Sequence, residues 1–539
     1  MTQTTCGAHL AQLLEAYGVR HVFGIPGVHN VEMYRGLWQT KIRHISPRHE
    51  QGAGFMADGY ARATGQPGVA FVTTGPGVTN IATAMAQAYA DSVPMLVVAA
   101  VNQRQILGFG RGYLHEMPNQ RNFAAGISAF AHTLLRAQEL PDVLSAAYSV
   151  FSSGRPRPVF IEIPTDVLSK KHEGGEDSVE QRQLFAPGAD PAAIAEAAKR
   201  LRGAKRVMLI VGGGAQNAAT EITALADRLG ALVQLTINGR GLLPPTHPQL
   251  GDFGLMRSDG RKIMNEADVV LAIGTELGET DFGFYDLTPF AVKHKFIRID
   301  IDPRQMAVGP RFDLGIVADA RLASQALLTA LDGGVAVKRD TAWTKASVKA
   351  MFEIADRNRE PDDPLYDRLL DVIRNTPGDP ILVGDSTKPV YRAAFNYRAP
   401  RPRSFYSAST GFGTLGYALP AAIGAKIAHP DRPVIALAGD GGAQFTFPEL
   451  ISAREANAGI VMIVWNNGGY REIRDYMVSQ EIAPIAVDPI PPDFVKSAEA
   501  LGVAAKRVSS FDELSAALRG HGPSANAPLL LEAGPWIRG

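Results

Sequence analysis

Two short apolar runs near the C-terminal end finish in residues suited to holding a cation. "VIALAGDGG" closes on Gly439, Asp440, Gly441 and Gly442, and "IVMIVWNNGGY" closes on Asn466, Asn467, Gly468, Gly469 and Tyr470. Asn467 follows Asp440 by 27 residues, with a helix-like stretch at 448–456 between them. If the two runs are neighbouring parallel strands, the carboxylate and the amide emerge at the same rim of a sheet. A hard cation such as Mg²⁺ takes oxygen ligands of this kind, together with a backbone carbonyl and phosphate oxygens. The flanking glycines let backbone amides approach an anionic group closely. Either motif alone is what an ordinary turn looks like; the pair, spaced by one crossover, points to a metal–diphosphate site.

The elements that must position these residues alternate between strand-like and helix-like along the whole chain, as in βαβ units on parallel sheets. "HVFGIPG", "GVAFVTTGPGVTN", "MLVVAAV" and "RPVFIEIPTDV" make a first block over 1–168. A polar, glycine-rich linker is expected at 169–190. The strands "RVMLIVGGG", "VQLTING", "DVVLAIG" and "FIRIDIDP" make a central block over 191–331. A second polar connection covers 332–363, and "ILVGDST", "VIALAGDG", "IVMIVWNN" and "PLLLEAG" make a third block over 364–539. The predicted fold is α/β, with three doubly wound parallel-sheet domains. In such sheets ligands bind beyond the carboxyl ends of the strands, which is where the polar motifs lie. No short repeat is visible.

The bulk numbers exclude several classes. At 539 residues the chain is too long for one core. Lys plus Arg and Asp plus Glu balance at 54 each, without long basic runs, so neither nucleic acid nor an anionic membrane is an expected partner. A single cysteine, Cys6, excludes an intrachain disulfide and a Cys-based zinc cluster. The start of the chain does not read as a signal peptide, and no apolar run approaches the ~20 residues of a membrane span. The expectation is a soluble, cytoplasmic protein.

A family resemblance rests on these motifs and on others across the chain. GDG followed some 25 residues later by NN resembles the signature of thiamine-diphosphate-dependent enzymes. "SPRHEQGAGFMADGYARATGQPGVAFVTTGPGVTNIATAMAQAYADSVPMLVVAA" resembles the pyrimidine-binding domain of the acetolactate synthase and 2-oxoacid decarboxylase group, and "STGFGTLGYALPAAIGA" its segment ahead of the diphosphate site. The resemblance implies thiamine diphosphate and Mg²⁺ as cofactors. Glu50, which closes the predicted strand "IRHISPRHE", would be the catalytic glutamate that hydrogen-bonds N1′ of the aminopyrimidine and so activates the thiazolium carbon C2. Leu415 would be the apolar wedge that bends the cofactor, and Gly413 would offer its carbonyl to the 4′-amino group. Asp440, Asn467 and the Gly469 carbonyl would hold the metal. Ser386 and Thr387 of "GDSTKP", Gly439, Gly441, Gly442 and Tyr470 would surround the cofactor. Glu50 and the metal motif would come from different subunits, which makes a homodimer or homotetramer the expected assembly.

Reaction type has to be read from what departs from the group's patterns. The lysine of a "KHN"-like segment is missing from "ISAFAHTLLR", an "RFDDR"-like run is replaced by "GTELGETDFGFYD", and an "RQWQ"-like segment by "REIRDYM". These departures argue against acetolactate synthesis, and FAD is not expected. The His-His pair of pyruvate decarboxylases is reduced to His115-Glu116 in "YLHEMPNQ". The details of "GIPGVHN", "RGYLHEMPNQ" and "WNNGGYREIRDYM" most resemble decarboxylases of basic 2-oxo acids such as 5-guanidino-2-oxopentanoate (2-ketoarginine). His115 is then a candidate proton donor, since an imidazole titrates near neutrality. His29, Glu116 and Gln120 are candidate substrate contacts, and a guanidinium tail would need a carboxylate such as Glu116, Glu472 or Asp475. A carboligase of the acetolactate synthase type is the alternative. A nucleotide-binding oxidoreductase, suggested by "VMLIVGGGAQNAA", lacks the acidic residue about 20 positions on that a dinucleotide fingerprint requires.

Overall fold

The structure, a computed structural model, describes residues 4–171, 184–251, 255, 257–282, 290–333, 335 and 337–538. The interior strands are runs buried on both faces, as parallel strands covered by helices must be. In the first sheet these are β1 (His21–Gly24), β3 (Gly68–Val72), β4 (Met95–Val101) and β6 (Val159–Pro164), flanked by β2 (Arg43–Ile45) and β5 (Phe130–Thr133) in the order β2-β1-β3-β4-β6-β5. The second sheet holds β7 (Val207–Val211), β8 (Leu232–Leu235), β9 (Val269–Ile273), β10 (Lys295–Asp300) and β11 (Leu314–Val317), ordered β11-β10-β9-β7-β8. The third holds β12 (Ile381–Gly384), β13 (Phe405–Ser407), β14 (Val434–Gly439), β15 (Val461–Trp465), β16 (Ala504–Arg507) and β17 (Leu529–Ala533), ordered β13-β12-β14-β15-β17-β16. The fold is therefore three α/β domains on parallel sheets, as the sequence pattern predicts.

The first and third sheets share one strand order, each strand of the third taking the place of the strand eleven numbers earlier. The sequence reading finds no repeat, because the duplication lies in topology and its period exceeds any local pattern. β5, β11, β13 and β16, which that reading does not name, all lie at or beside a sheet edge. β5 and β16 have no fully buried residue, so neither presents a continuous apolar run.

The chain divides into two compact units: Met1–Phe185 with Thr376–Lys388 and Ser407–Gly539, and Ala186–Asn375 with Pro389–Tyr406. In the second, the polar connection at 332–363 carries a helix, Thr341–Arg357, that buries Trp343, Met351 and Ile354. Most of the linker expected at 169–190 lies outside the described residues. Among those described, no helix is long and apolar enough to cross a membrane.

The first unit holds the sequence motifs of interest. Its centre is the crossing of two topologically equivalent helices, Glu50–Thr64 and Ala418–Ala428. They approach through glycines: a Cβ on Gly59 would lie 2.0 Å from the Ala421 carbonyl oxygen, and one on Gly424 1.9 Å from that of Met56. Beside the crossing, buried Arg62 pairs with Asp58 at 2.7 Å and with Asp91 at 2.6 Å, and the Tyr417 hydroxyl donates to Asp58 at 2.5 Å. Two carboxylates on one guanidinium leave the buried charges paired, which is the condition for tolerating them there.

Gly59→Ala and Gly424→Ala are each expected to destabilise the chain by about 1–3 kcal/mol or more, because backbone rather than a flexible side chain must give way. Gly520→Ala, in the Phe511–His521 helix with nothing within 4 Å, is expected to gain about 0.4–1 kcal/mol. Thermal melts of the three variants check the contrast.

Candidate active site

β14 and β15 are parallel neighbours, with Gly439 opposite Trp465, so the residues that follow each strand emerge at one rim. Asp440 is buried, and its Oδ2 accepts from the Gly469 N–H at 2.8 Å while Oδ1 accepts from the Asn467 N–H at 3.3 Å. Burial pushes the Asp440 carboxyl above the usual carboxylate range, against the pull of those two N–H groups and of Arg471. The Asn467 side-chain amide lies 3.2 Å from Asp440 Oδ1 and 3.1 Å from the Gly469 carbonyl oxygen. One orientation of the amide donates N–H to both. The other turns its oxygen toward both and makes a three-oxygen face.

Neighbouring oxygens around an octahedral Mg²⁺ at 2.0–2.1 Å stand about 3 Å apart, close to these spacings. A carboxylate, an amide and a carbonyl form a hard oxygen donor set, so the residues present fit the cation. Among the described residues no three His, Cys, Asp or Glu side chains gather as a metal cluster.

The rest of the cradle comes from β12, the other neighbour of β14. A Cβ on Gly439 would meet Thr387 Oγ1 at 3.0 Å, one on Gly442 would meet Asp385 Oδ1 at 3.0 Å, and one on Gly441 would strike the Tyr470 ring at 2.5 Å. Ser386, Thr387, the Gly439–Gly442 turn, Asn467, Gly469 and Tyr470 are thus gathered at three adjacent strand ends. Gly469 has φ +126°, and a Cβ there would also meet the Val487 carbonyl oxygen at 2.5 Å, so only glycine serves.

The turn carrying Gly413 and Leu415 is fixed by a residue that the sequence reading passes over. Asp385, the residue after β12, accepts from the N–H groups of Ser386 at 2.9 Å, Gly416 at 3.3 Å and Ala418 at 3.2 Å. Burial pushes its carboxyl up to about 6, opposed by those N–H bonds. The Thr446 hydroxyl donates to the Gly416 carbonyl at 2.8 Å from the far side. A carboxylate directly after "ILVG" was the available signal; in sequence it resembles any turn aspartate.

Glu50 opens the Glu50–Thr64 helix and accepts from Asn80 Nδ2 at 2.9 Å. Asn80 lies near the start of the Pro76–Ala90 helix. The Thr414 N–H donates to Gln87 near the end of that same helix, and the Thr410 hydroxyl to Asp91 just past it. Seven residues of helix separate Asn80 from Gln87, about 10 Å along the axis. One chain therefore gathers the polar strand ends and the Leu415 turn, and bonds Glu50 and that turn to points about two helical turns apart.

Comparison with known proteins agrees with this geometry. Residues 4–123 match the N-terminal TPP binding domain of thiamine pyrophosphate enzymes, residues 194–327 their central domain, and residues 383–533 their C-terminal TPP binding domain. The chain belongs to the thiamine pyrophosphate enzymes. It is 43% identical over 519 residues to a probable 2-ketoarginine decarboxylase of Pseudomonas aeruginosa, covering 96% of this chain and 91% of the relative. It is 33% identical over 551 residues to a probable acetolactate synthase large subunit of Methanocaldococcus jannaschii (97% and 90%), and 32% identical over 468 residues to the acetolactate synthase isozyme 1 large subunit of Escherichia coli (85% and 81%).

In this thiamine pyrophosphate enzyme the two candidate histidines meet. The His29 and His115 rings stand edge to face with centroids 5.1 Å apart, and neither buried Nδ1 has a partner among the described residues. Burial and the facing imidazole lower His29 from its ordinary value. Gln120 and Glu116 both have hydrogen-bond partners within the chain. Gln120 is buried, accepting from the Gly75 N–H at 2.8 Å and donating to Glu162 at 3.0 Å and the Ala100 carbonyl at 2.9 Å. It orients the Gly75 turn, against which the His115 backbone packs. Glu116 accepts from the N–H groups of Gly110, Gly112 and Tyr113 and folds its own loop. Glu472 and Asp475, on the Arg471–Ser479 helix that follows the metal turn, face Lys388, which stands 2.5 Å from Asp475 and 3.7 Å from Glu472.

Because the Asp385 carboxyl is raised in the folded chain, its contribution to stability is full below the unfolded value near 4 and is lost as pH rises through about 6. Asp385→Asn removes that dependence. The stability of the native chain relative to this variant is therefore expected to fall between pH 4 and pH 6 and to level off above pH 7, as read from denaturant melts across that range.

Proposed function

We propose that this enzyme catalyses the thiamine-diphosphate- and Mg²⁺-dependent, non-oxidative decarboxylation of a basic 2-oxo acid such as 2-ketoarginine, giving an aldehyde and CO₂. The observation that carries the reaction is the 43% identity, over 96% of this chain, to a probable 2-ketoarginine decarboxylase. The acetolactate synthases stand further away, at 33% and 32%. Bound thiamine diphosphate supplies the electron sink for the carbanion left when CO₂ departs.

The chain's own residues do the rest. Asp440, Asn467 and the Gly469 carbonyl hold the cation, while Ser386, Thr387 and the glycine amides of 439–442 receive the diphosphate. Glu50, steadied by Asn80, exchanges a proton with the aminopyrimidine ring nitrogen. Leu415 would pack beneath the cofactor as an apolar wedge, and Gly413 would offer its carbonyl to the 4′-amino group. His115, with His29 against it, returns a proton to the carbon that lost CO₂, which balances the reaction as 2-oxo carboxylate anion plus H⁺ to aldehyde plus CO₂. Glu472 and Asp475 offer carboxylates to a guanidinium tail that competes with Lys388. Since one chain bonds Glu50 and the Leu415 turn to points about two helical turns apart, a complete site takes Glu50 from one chain and the turn from another, in a cytoplasmic homodimer or homotetramer.

Glu50→Gln is expected to abolish exchange of the cofactor's C2 proton with solvent and to leave diphosphate affinity nearly intact; exchange at the native rate would overturn the assignment. A CO₂-release screen of 2-oxo acids with thiamine diphosphate and Mg²⁺ is expected to select basic acids and to give no ligated product with excess pyruvate. Turnover of every other acid but no basic one would remove the substrate assignment, and a ligated product would favour the carboligase.

A further inference from the structure

One buried carboxylate of the same unit stands outside the steps above. Glu449 opens the Glu449–Glu455 helix, which comes directly after the Asp440–Thr446 helix of the metal turn. It is 1% exposed, yet its oxygens reach across to another element. The Arg48 N–H donates to Oε1 at 3.0 Å and to Oε2 at 3.1 Å, and the His49 N–H donates to Oε1 at 3.2 Å. The Ser452 hydroxyl holds Oε2 at 2.6 Å. These backbone amides belong to the two residues immediately before Glu50. The first N–H groups of a helix lack partners within it, and the positive end of its dipole favours an anion. Here that anion is delivered by the segment that carries the metal turn. Gly52 has no room for a side chain, since a Cβ would lie 2.2 Å from Glu449 Oε1. Glu50 is thus fixed at two points: its carboxylate by Asn80 at 2.9 Å, and the peptide leading into it by Glu449.

We propose that Glu449 is a positioning residue for Glu50, clamping the turn that aims the proton-exchanging carboxylate and tying it to the segment behind the metal site. A proton donor displaced by a fraction of an ångström loses catalytic power while the binding groups elsewhere keep theirs. The inference rests on the reading that Glu50 exchanges the ring proton. It differs from an ordinary buried helix cap, whose loss would lower every property of the protein together.

The test uses the full chain with thiamine diphosphate and Mg²⁺, measuring C2–H exchange by quenched NMR and cofactor affinity by fluorescence titration. Glu449→Gln keeps the size and one acceptor oxygen but turns an N–H group toward amides that need an acceptor. It is expected to slow exchange by about 10- to 100-fold while cofactor affinity stays within about threefold of native. Ser452→Ala, which loosens the carboxyl group and keeps both of its oxygens, is expected to show the same split at smaller size. It keeps the test decisive if Glu449→Gln does not fold. Exchange and affinity falling by the same factor, or exchange unchanged in either folded variant, would overturn the proposal. Glu50→Gln in the same assay separates the two levels: native exchange there would sink the underlying reading instead.

Discussion

Two helices cross in this chain at a distance that no side chain would permit. Gly59 against Ala421 and Gly424 against Met56 bring backbone onto backbone, and the rest of the unit is arranged around that contact. The N-terminal end of one helix carries Glu50, and the segment leading into the other carries Gly413 and Leu415. With the crossing fixed, the Pro76–Ala90 helix acts as a ruler between them, bonded to Glu50 through Asn80 and to the turn through Gln87. The separation of Asn80 from Gln87, and so of the groups bonded to them, follows from the packing.

Around this frame the polar chemistry relies heavily on backbone. The Asp440 carboxylate is held by two amide N–H groups, Asp385 by three, and Glu449 by those of Arg48 and His49. Amide N–H groups oppose the rise that burial imposes on these carboxyls, and they fix loop shapes that side-chain pairs would leave adjustable. Glycine at 439, 441, 442 and 469 is the counterpart, because each Cβ would fill space that Thr387, Tyr470, Asp385 or Val487 already uses.

How far this was legible in the sequence differs by residue. "MLVVAAV" and "VIALAG" read as strands because both of their faces are covered and every position can be apolar. β16, with its partly exposed "AAKR", could not be read that way. Asp440 and Asn467 were visible because two unusual strand endings stood one crossover apart, and the register of β14 on β15 places them together. Asp385 and Glu449 were not visible. The first looks like any turn aspartate, and the partner of the second lies 401 residues away in sequence, beyond any local pattern. Gln120 was seen, but its burial against Gly75 and Glu162 depends on the tertiary fold. The shared strand order of the first and third sheets was hidden for the same reason.

The Asn467 amide sits where its orientation decides what the rim of β14 and β15 can hold. With its N–H group turned toward Asp440 and the Gly469 carbonyl, the clamp is a closed set of hydrogen bonds in which no two oxygens are forced together. Rotated by half a turn, the same side chain becomes a ligand. The carboxylate, the carbonyl and one amide thus make a rim whose character, donor or all-oxygen, turns on the orientation of a single side chain.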